Sequence, residues 1–292
     1  MFHVKPESQK QIKHSEVHLR RVKDHLVSGE EFSLVHNKQF NALATAPKPS
    51  LVEIAGYYES DEYLSHSDQH RSFFSRMYAL VRGVNLRTKK KWVEDHVNAP
   101  GRLLDVGTGV GHFLDVMRAG RWNVQGIEVG DRPRAIAQTK GHVVHAQWAG
   151  VLGEKYDAVT LWHVLEHLDD LESRIADLGS LVDENGFLIV AVPNYRSFDA
   201  RHYKAFWAGY DVPRHLWHFD QASMHHLFAD QFDLIDKKFM WFDSFYVSYL
   251  SHYYKTNNKR SVTPFFVALW SNLRTLWDGE CSSIAYIYQK KA

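Results

Sequence analysis

The sequence predicts an α/β fold built on a doubly wound, mostly parallel sheet of seven strands. From residue 102 onward, short apolar runs alternate with segments of helical periodicity. The runs lack the alternation of half-exposed strands, which indicates a parallel sheet covered by helices on both faces. We predict strands at residues 103–106, 123–129, 142–146, 158–162, 187–192, 232–239 and 282–289, the last as an antiparallel edge.

Helical segments separate these strands. The pattern predicts a helix over residues 68–97 that breaks near Gly83, and a helix over 171–181 that Asn185 and Gly186 close. Shorter helices are expected around residues 113–117 and at 132–139. A helical insertion at about 246–277 precedes the last strand, where it interrupts the strand–helix alternation.

The chain divides at about residue 67. Residues 1–67 form a polar N-terminal extension, with short strands expected at 32–35 and 42–45. Ser50 is placed to cap a short helix that runs through Tyr57. Residues 68–292 hold the α/β domain with its helical insertion.

The composition excludes several classes of protein. The 292 residues include 35 basic and 34 acidic side chains, a balance that argues against a nucleic-acid partner. The single cysteine, Cys281, excludes a disulfide framework and a thiolate zinc cluster within the chain, and fits a reducing, cytoplasmic setting. Apolar runs are too short to span a bilayer, so no membrane partner is expected. The oligomeric state stays open.

A glycine-rich loop follows the first strand of the predicted sheet. Gly107, Gly109 and Gly111 surround Thr108 and remove the Cβ atoms that would keep a ligand away from the backbone. The helix after the loop presents free N–H groups and a positive dipole end. Such an end holds either a phosphate or a carboxylate, so the loop alone leaves the cofactor undecided.

Two neighbours of the loop favour S-adenosylmethionine. The dinucleotide fingerprint requires Gly or Ala where this chain has the bulky His112. Asp105, two residues before the first glycine, suits the ammonium group of a methionyl moiety and would repel a pyrophosphate. Glu128 ends the second strand, with Val129 beside it, and can accept two hydrogen bonds from a ribose diol.

Three aromatic side chains lie at the ends of later strands. Trp148 ends the third strand and can stack on an adenine ring, or pack as an ordinary tryptophan. Trp162 and His163 end the fourth strand, where the sulfonium and the methyl acceptor should meet. An aromatic face attracts a sulfonium by a cation–π interaction.

The sequence gives only tentative candidates for catalysis. Transfer to a hydroxyl requires removal of its proton, and a histidine of near-neutral pKa suits that task. His215 is the first choice and His218 the second, although ordinary packing explains either one equally well. Arg214 can hold an anionic group of the substrate, and Asp211 can orient a histidine. No metal is expected, because Asn194 has no carboxylate cluster of the magnesium-dependent type beside it.

Further aromatic residues have no single interpretation. Three tyrosines in the later part of the N-terminal extension can cover the cofactor or pack on the core: Tyr57, Tyr58 and Tyr63. An aromatic-rich segment can line an acceptor pocket, form a dimer surface or belong to the core: Trp241, Phe242, Phe245, Tyr246, Tyr249, Tyr253 and Tyr254.

Four motifs in order resemble the class I S-adenosylmethionine-dependent methyltransferases, in a bacterial branch related to the ubiquinone-biosynthesis O-methyltransferases. They are residues 103–111 (LLDVGTGVG), 156–168 (YDAVTLWHVLEHL), 192–194 (VPN) and 211–219 (DVPRHLWHF), with Glu128 at its matching position. The resemblance implies a Rossmann-like methyltransferase fold and S-adenosylmethionine as cofactor. It does not name the acceptor.

The chain departs from this branch at two places. Asn37 and Phe40 stand where members often carry an N-terminal cysteine pair of ribbon type, so the extension is expected to be a degenerate module without zinc. Gln147 stands where an Asp faces the adenine; its amide oxygen can still accept a hydrogen bond from the adenine amino group.

The leading expectation is therefore a metal-independent methyltransferase that acts on a small-molecule acceptor, most favourably at oxygen. An NAD(P)-dependent oxidoreductase is a second hypothesis, which Asp105 and His112 oppose. A third is a non-catalytic member of the fold that binds a nucleoside or a partner protein.

Overall fold

A computed structural model describes residues 17–58, 73–97 and 99–291. Its strands are β1 (Val17–Lys23), β2 (Glu31–Asn37), β3 (Ala42–Ala46), β4 (Arg102–Val106), β5 (Asn123–Ile127), β6 (Val143–His145), β7 (Tyr156–Trp162), β8 (Val182–Pro193), β9 (Trp217–His218), β10 (Phe232–Phe239) and β11 (Ser283–Lys290). Its helices are α1 (Leu51–Gly56), α2 (Phe73–Glu94), α3 (His112–Ala119), α4 (Asp131–Thr139), α5 (Leu171–Leu181), α6 (Phe198–Tyr203), α7 (Gln221–Phe228), α8 (Asp243–Thr256) and α9 (Thr263–Asp278).

The central sheet has seven strands in the order β10-β11-β8-β7-β4-β5-β6. The five strands from β8 to β6 pair in parallel, and β11 runs antiparallel to both of its neighbours. The prediction of a mostly parallel, seven-stranded, doubly wound sheet is confirmed. The expected position of the last strand is wrong: β11 lies inside the sheet, because Ala285 and Ile287 bury the face opposite Tyr286, and β10 forms the edge.

Two hydrophobic clusters cover the two faces of this sheet. Leu104, Val159 and Val190 belong to one cluster, whereas their chain neighbours Leu103 and Ala158 belong to the other. Successive residues of one strand point to opposite faces. Both faces are therefore apolar, which explains why the strand sequences show apolar runs rather than alternation.

Two helix predictions need correction. Helix α2 continues through Gly83 without a break, since one glycine inside a helix costs only about 1 kcal/mol relative to alanine. Helix α5 ends at Leu181 and the chain enters β8 directly, so Asn185 and Gly186 do not close the helix. Asn185 instead adopts a left-handed conformation, with φ of 61°, in the first part of β8.

The N-terminal strands form a second, four-stranded antiparallel sheet in the order β1-β2-β3-β9. Its fourth strand comes from the later part of the chain, where Trp217 pairs with Ala44 and His218 with Leu43. The β2–β3 turn closes without cysteines: the Asn37 side chain accepts a hydrogen bond from the Phe40 N–H, and the Phe40 ring packs edge-on against Trp217.

Two helices, α8 and α9, occupy the segment predicted as a helical insertion before the last strand. They bury small residues such as Ser248, Ala268 and Ser271 on their inner sides, and leave large apolar side chains such as Trp277 exposed. In the described part of the chain, no helix is both long and apolar enough to cross a bilayer.

A buried arginine joins the N-terminal sheet to the loop before β9. The Arg214 guanidinium lies 3.0 Å from Asp24 Oδ1 and 2.7 Å from Asp211 Oδ1, and only 1% of its side chain is exposed. The two carboxylates raise the pKa of Arg214 despite its burial, so the arginine stays charged. The expected role of Arg214 as a substrate anchor is not supported, because both of its carboxylate partners belong to the protein.

Replacement of Arg214 by methionine should destabilise the protein by about 3–5 kcal/mol, because it leaves Asp24 buried without a cation. The matched control is Arg201→Met, which removes a half-exposed pair with Asp278 and should cost at most about 1 kcal/mol. Urea unfolding of both variants measures the difference. Equal free energies of unfolding would contradict the structural role of Arg214.

Candidate functional site

The carboxyl ends of β4, β5 and β7 meet at one edge of the central sheet. In open α/β sheets this edge, where the strand order reverses, is where ligands bind. Asp105, Glu128 and His163 each lie at or just beyond one of these strand ends. Parallel pairing therefore brings together three residues that the sequence spreads over 58 positions.

The glycine loop closes back on β5. The N–H groups of Gly107 and Thr108 both donate to the Ile127 carbonyl, at 2.8 and 3.0 Å. Gly107, Gly109 and Gly111 all have positive φ angles, and a Cβ at Gly107 would meet Val164 at 2.4 Å. A Cβ at Gly109 would meet nothing within 4 Å, so this glycine faces open space. The loop thus offers a ligand direct access to backbone at Gly109, as a nucleoside cofactor requires.

Asp105 is a buried carboxyl group, 2% exposed, under this loop. Burial raises the pKa of Asp105 to about 6, against the opposing effects of the Thr160 hydroxyl, which donates to Oδ1 at 2.7 Å, and of the Lys89 ammonium. The carboxyl is therefore ionised at neutral pH and protonated in mild acid. An ionised Asp105 fits the ammonium group for which the sequence proposed it.

Glu128 is held in place by the backbone. Its Oε2 accepts from the Gly109 N–H and its Oε1 from the Gly130 N–H, both at 2.8 Å. Each carboxylate oxygen has two lone pairs, so both can accept a further hydrogen bond. This geometry leaves Glu128 able to bind a ribose diol while it fixes the glycine loop. Val129 follows it and is 76% exposed.

Gln147 and Trp148 lie beyond the end of β6. Gln147 is exposed, and its side chain is free to face an adenine ring. Trp148 begins a short 3-10 helix, packs against the core and carries the Arg174 guanidinium 5.0 Å from its ring centre. One face of the indole is thus already covered, so stacking of an adenine on Trp148 is restricted to the other face.

Trp162 lies against a cation that the sequence did not reveal. The Lys89 ammonium, from helix α2, stands 4.6 Å from the Trp162 ring centre. Burial lowers the pKa of Lys89, and the nearby Asp243 and Asp105 carboxylates oppose this effect. Trp162 thus makes a cation–π contact with a lysine, whereas the expected contact with a sulfonium stays a prediction. Lys89 thus lies between the Asp105 and Asp243 carboxylates and the Trp162 ring, and the two carboxylates only partly offset the effect of burial on its charge.

His163 connects two carboxylates at the end of β7. Its Nε2 lies 3.1 Å from Asp243 Oδ2, and its Nδ1 lies 3.4 Å from Glu166 Oε1. Burial lowers the pKa of His163, but the two carboxylates outweigh that effect and raise it to about 9. The imidazole is therefore protonated at neutral pH, and it holds Asp243 at the edge of the site.

His215 and His218 are both buried, behind this edge. The Nδ1 of His215 is 3.0 Å from the Gly209 carbonyl, and the Nε2 of His218 is 2.9 Å from the Thr45 hydroxyl. Burial lowers the pKa of His215 to about 4, and that of His218 also falls. Both histidines line a small closed space with Tyr195 rather than the open cavity described next.

A cavity of about 360 Å³ has two lining residues, Lys89 and Asp243, that contact Trp162 and His163 respectively. Helix α2, the end of β10 and the start of α8 form its walls, and Lys89 and Asp243 lie on them. Of the aromatic-rich segment, Trp241 and Phe242 line this cavity, whereas Tyr246 and Tyr249 are exposed.

Two of the three N-terminal tyrosines are described, and neither is among the residues that line the cavity. Tyr57 donates to Glu30, and the Tyr58 hydroxyl is 2.9 Å from His167 Nδ1. Tyr63 lies outside the described residues. The two described tyrosines therefore pack at the N-terminal sheet and the β7 turn.

Lys89 and Asp243 are the residues that the sequence analysis missed. Lys89 lies in a lysine-rich helix and resembles a solvated residue. Asp243 follows β10, which runs parallel to β8, so the structure brings the residues after Phe239 to the same edge as the glycine loop.

Comparison with known proteins agrees with this geometry. A family model described as a methyltransferase domain matches residues 79–234, just over half of the chain. The ubiquinone biosynthesis O-methyltransferase of Pseudomonas fluorescens (strain SBW25) is 29% identical over 119 residues, which cover 35% of this chain and 49% of the relative. The chain thus spans about half the length of the curated relatives it matches.

Solved structures share the fold at low identity. The magnesium protoporphyrin IX methyltransferase from Synechocystis PCC 6803 with bound S-adenosylhomocysteine has a TM-score of 0.55 and 16% identity, over 83% of this chain and 100% of that one. A geranyl diphosphate C-methyltransferase from Streptomyces coelicolor A3(2) has a TM-score of 0.51 and 13% identity, over 76% and 87%.

The fold and the strand-end site define a class I, Rossmann-like methyltransferase. The chain belongs to the methyltransferase-domain family, and the expected likeness to the class I S-adenosylmethionine-dependent methyltransferases is confirmed.

Affinity for S-adenosylhomocysteine should rise about tenfold between pH 5 and pH 7, because the ionised fraction of a carboxyl with a pKa near 6 rises by about that factor. The ligand's α-amino group stays protonated over this range. Calorimetric titrations at several pH values measure the change.

Two variants test whether Asp105 causes this pH dependence of the affinity. Asp105→Asn should bind weakly and without this pH dependence. Lys89→Met should shift the pH at which the affinity for S-adenosylhomocysteine falls to a higher value, since Lys89 lowers the Asp105 pKa. A wild-type pH profile retained in Asp105→Asn would assign the dependence to another group.

Proposed function

We propose that the protein transfers the methyl group of S-adenosylmethionine to a small-molecule acceptor, at an oxygen atom. The observation that carries the proposal is the cavity of about 360 Å³, whose lining residues Lys89 and Asp243 contact Trp162 and His163 at the end of β7. Its volume falls in the range of small-ligand pockets, and aromatic walls with a few polar groups are typical of them.

The residues present fit the cofactor. We assign the methionyl ammonium to the region of Asp105 and the open glycine loop, Gly107 to Gly111 with Thr108. Glu128 and Val129 would meet the ribose, and Gln147 with Trp148 the adenine. Trp162 and His163 would face the sulfonium side. The cofactor, when bound, supplies an activated methyl group; the chain's own task is to orient the acceptor and to take its proton.

Oxygen as the accepting atom is supported by two arguments. Distant curated relatives carry the name O-methyltransferase. In addition, the Asp243 carboxylate lies on the cavity wall, where it can accept a hydrogen bond from a hydroxyl group. We propose Asp243, held by His163, as the proton acceptor in place of His215 or His218, because neither histidine is among the described residues that line the cavity.

The alternatives receive less support. A dinucleotide cofactor would bring a pyrophosphate next to the buried Asp105 carboxylate, which repels it. A non-catalytic role does not explain why the polar side chains of Lys89 and Asp243 line the cavity.

Binding and turnover test the proposal together. Calorimetry should show that the chain binds S-adenosylmethionine and S-adenosylhomocysteine but neither NADH nor NADPH. Mass spectrometry of a library of phenols, other hydroxyl compounds and amines should then identify a product in which one methyl group has replaced the hydrogen of a hydroxyl group. Failure to bind either adenosyl ligand at millimolar concentration would refute the proposal; methylation confined to amines would refute its assignment to oxygen.

Filling the cavity should weaken acceptor binding without loss of the cofactor. Asn85→Trp places an indole in the cavity, and the KM of the acceptor should rise at least about tenfold while S-adenosylhomocysteine affinity stays within about twofold. The matched control is Arg87→Trp, on the exposed side of the same helix. An unchanged acceptor KM in Asn85→Trp would place the acceptor elsewhere.

A further inference from the structure

A cluster of three metal-ligand side chains lies behind His163, outside the cofactor edge and the cavity. One ring nitrogen each from His167 and His215 and one carboxylate oxygen of Glu166 lie within 4.8 Å of one another. The two imidazole rings meet edge to face, with centres 4.6 Å apart. Two separate segments build the cluster: the 3-10 turn after β7 and the loop before β9.

Backbone carbonyls lie within hydrogen-bond distance of both histidines. Nδ1 of His167 lies 3.0 Å from the Arg214 carbonyl, and Nδ1 of His215 lies 3.0 Å from the Gly209 carbonyl. A carbonyl only accepts, so Nδ1 of His215 carries the proton and its Nε2 keeps a lone pair. Nδ1 of His167 also lies 2.9 Å from the Tyr58 hydroxyl, and when this nitrogen donates to the Arg214 carbonyl its Nε2 likewise keeps a lone pair. Histidines that bind metals are commonly oriented in this way, with the second ring nitrogen donating to a backbone carbonyl.

Glu166 supplies an independent sign that a ligand is needed. The residue is 1% exposed, and neither of its carboxylate oxygens has a hydrogen-bond partner among the described residues. The nearest cationic atom is Nδ1 of His163, at 3.4 Å from Oε1. The protonated His163 offsets part of the cost of burying this carboxylate, but the contact at Oε1 is longer than an ordinary hydrogen bond and Oε2 has no partner among the described residues. A cation between Glu166 and the two histidines would offset the remaining cost.

We propose that Glu166, His167 and His215 form a binding site for a divalent transition-metal ion of the zinc type. Two imidazoles and one carboxylate suit Zn²⁺ and similar ions better than Mg²⁺, which prefers oxygen ligands. Three protein ligands leave a fourth tetrahedral position for water or another oxygen. Ligand atoms of a tetrahedral zinc site are about 3.4 Å apart, so the side chains would close by about 1 Å around the ion.

The ion would serve as a positioning element for the site edge. Glu166 lies three residues after His163, and His215 belongs to the loop that carries Arg214 and leads into the N-terminal sheet. A bound ion would join the turn after β7 to that loop. This site goes beyond the proposed function, and differs in ligands and place from the carboxylate cluster whose absence led the sequence analysis to expect no metal.

Zinc titration of the 292-residue chain tests the proposal. The protein is dialysed against a chelator, the chelator is removed, and Zn²⁺ is added in a calorimeter. The wild-type protein should bind one equivalent, and Glu166→Gln and His167→Gln should each weaken binding about a hundredfold or more. His225→Gln, at an exposed histidine of α7, is the matched control for surface binding and should behave as wild type.

Two further measurements keep the outcome interpretable. Circular dichroism of the metal-free variants checks that they are folded; if they are not, the visible spectrum of wild type loaded with Co²⁺ reports directly whether imidazole and carboxylate ligands surround the ion. Separate titration with S-adenosylhomocysteine distinguishes failure of this proposal from failure of the proposed function. Absence of stoichiometric binding by the wild type, or equal binding by folded triad variants, would overturn the metal site.

Discussion

Parallel pairing of β4 with β5 on one side and β7 on the other is the constraint on which the candidate site depends. It places the carboxyl ends of three strands side by side, and with them Asp105, Glu128 and His163. The glycine loop is part of the same constraint, since two of its N–H groups bond to the last carbonyl of β5. Because both faces of the sheet are buried, the polar groups concentrate at this edge.

Charge at this edge is arranged in pairs that span different elements. Lys89 from α2 lies near Asp105 from β4 and Asp243 from α8, while His163 links Asp243 to Glu166. Each group is partly or fully removed from water, so its protonation depends on its partners. A cationic cofactor would enter a site that already balances positive against negative charge, which is the physical reason to expect binding that depends on pH.

Local features of the sequence predicted most of the fold and indicated the candidate cofactor residues. Apolar runs gave the strands, because both sheet faces are buried, and the spacing of glycines around Thr108 gave the loop. The histidines after β8 were harder, because pairing of β3 with β9 buries His218 and cannot be read from either segment alone. The partner of Arg214 is Asp24, which lies 190 residues earlier in the chain. The sequence around Arg214 therefore gives no indication of its structural role.

Lys89 and Asp243 were missed for a similar reason. A lysine on a polar helix gives no indication that it will be buried above a tryptophan, and a single aspartate in an aromatic segment indicates only a helix start. Their roles follow from the tertiary structure, because β10 ends at the same edge of the sheet as β4.

A crystal structure of the complex with S-adenosylhomocysteine is the most direct test of the central claim, that this edge is the cofactor site of a methyltransferase. We expect the ribose hydroxyls within hydrogen-bond distance of Glu128, the methionyl group over the loop at Gly109, and the sulfur directed toward the cavity that Asp243 lines. An adenosyl ligand bound away from Glu128, with its sulfur outside that cavity, would contradict the claim.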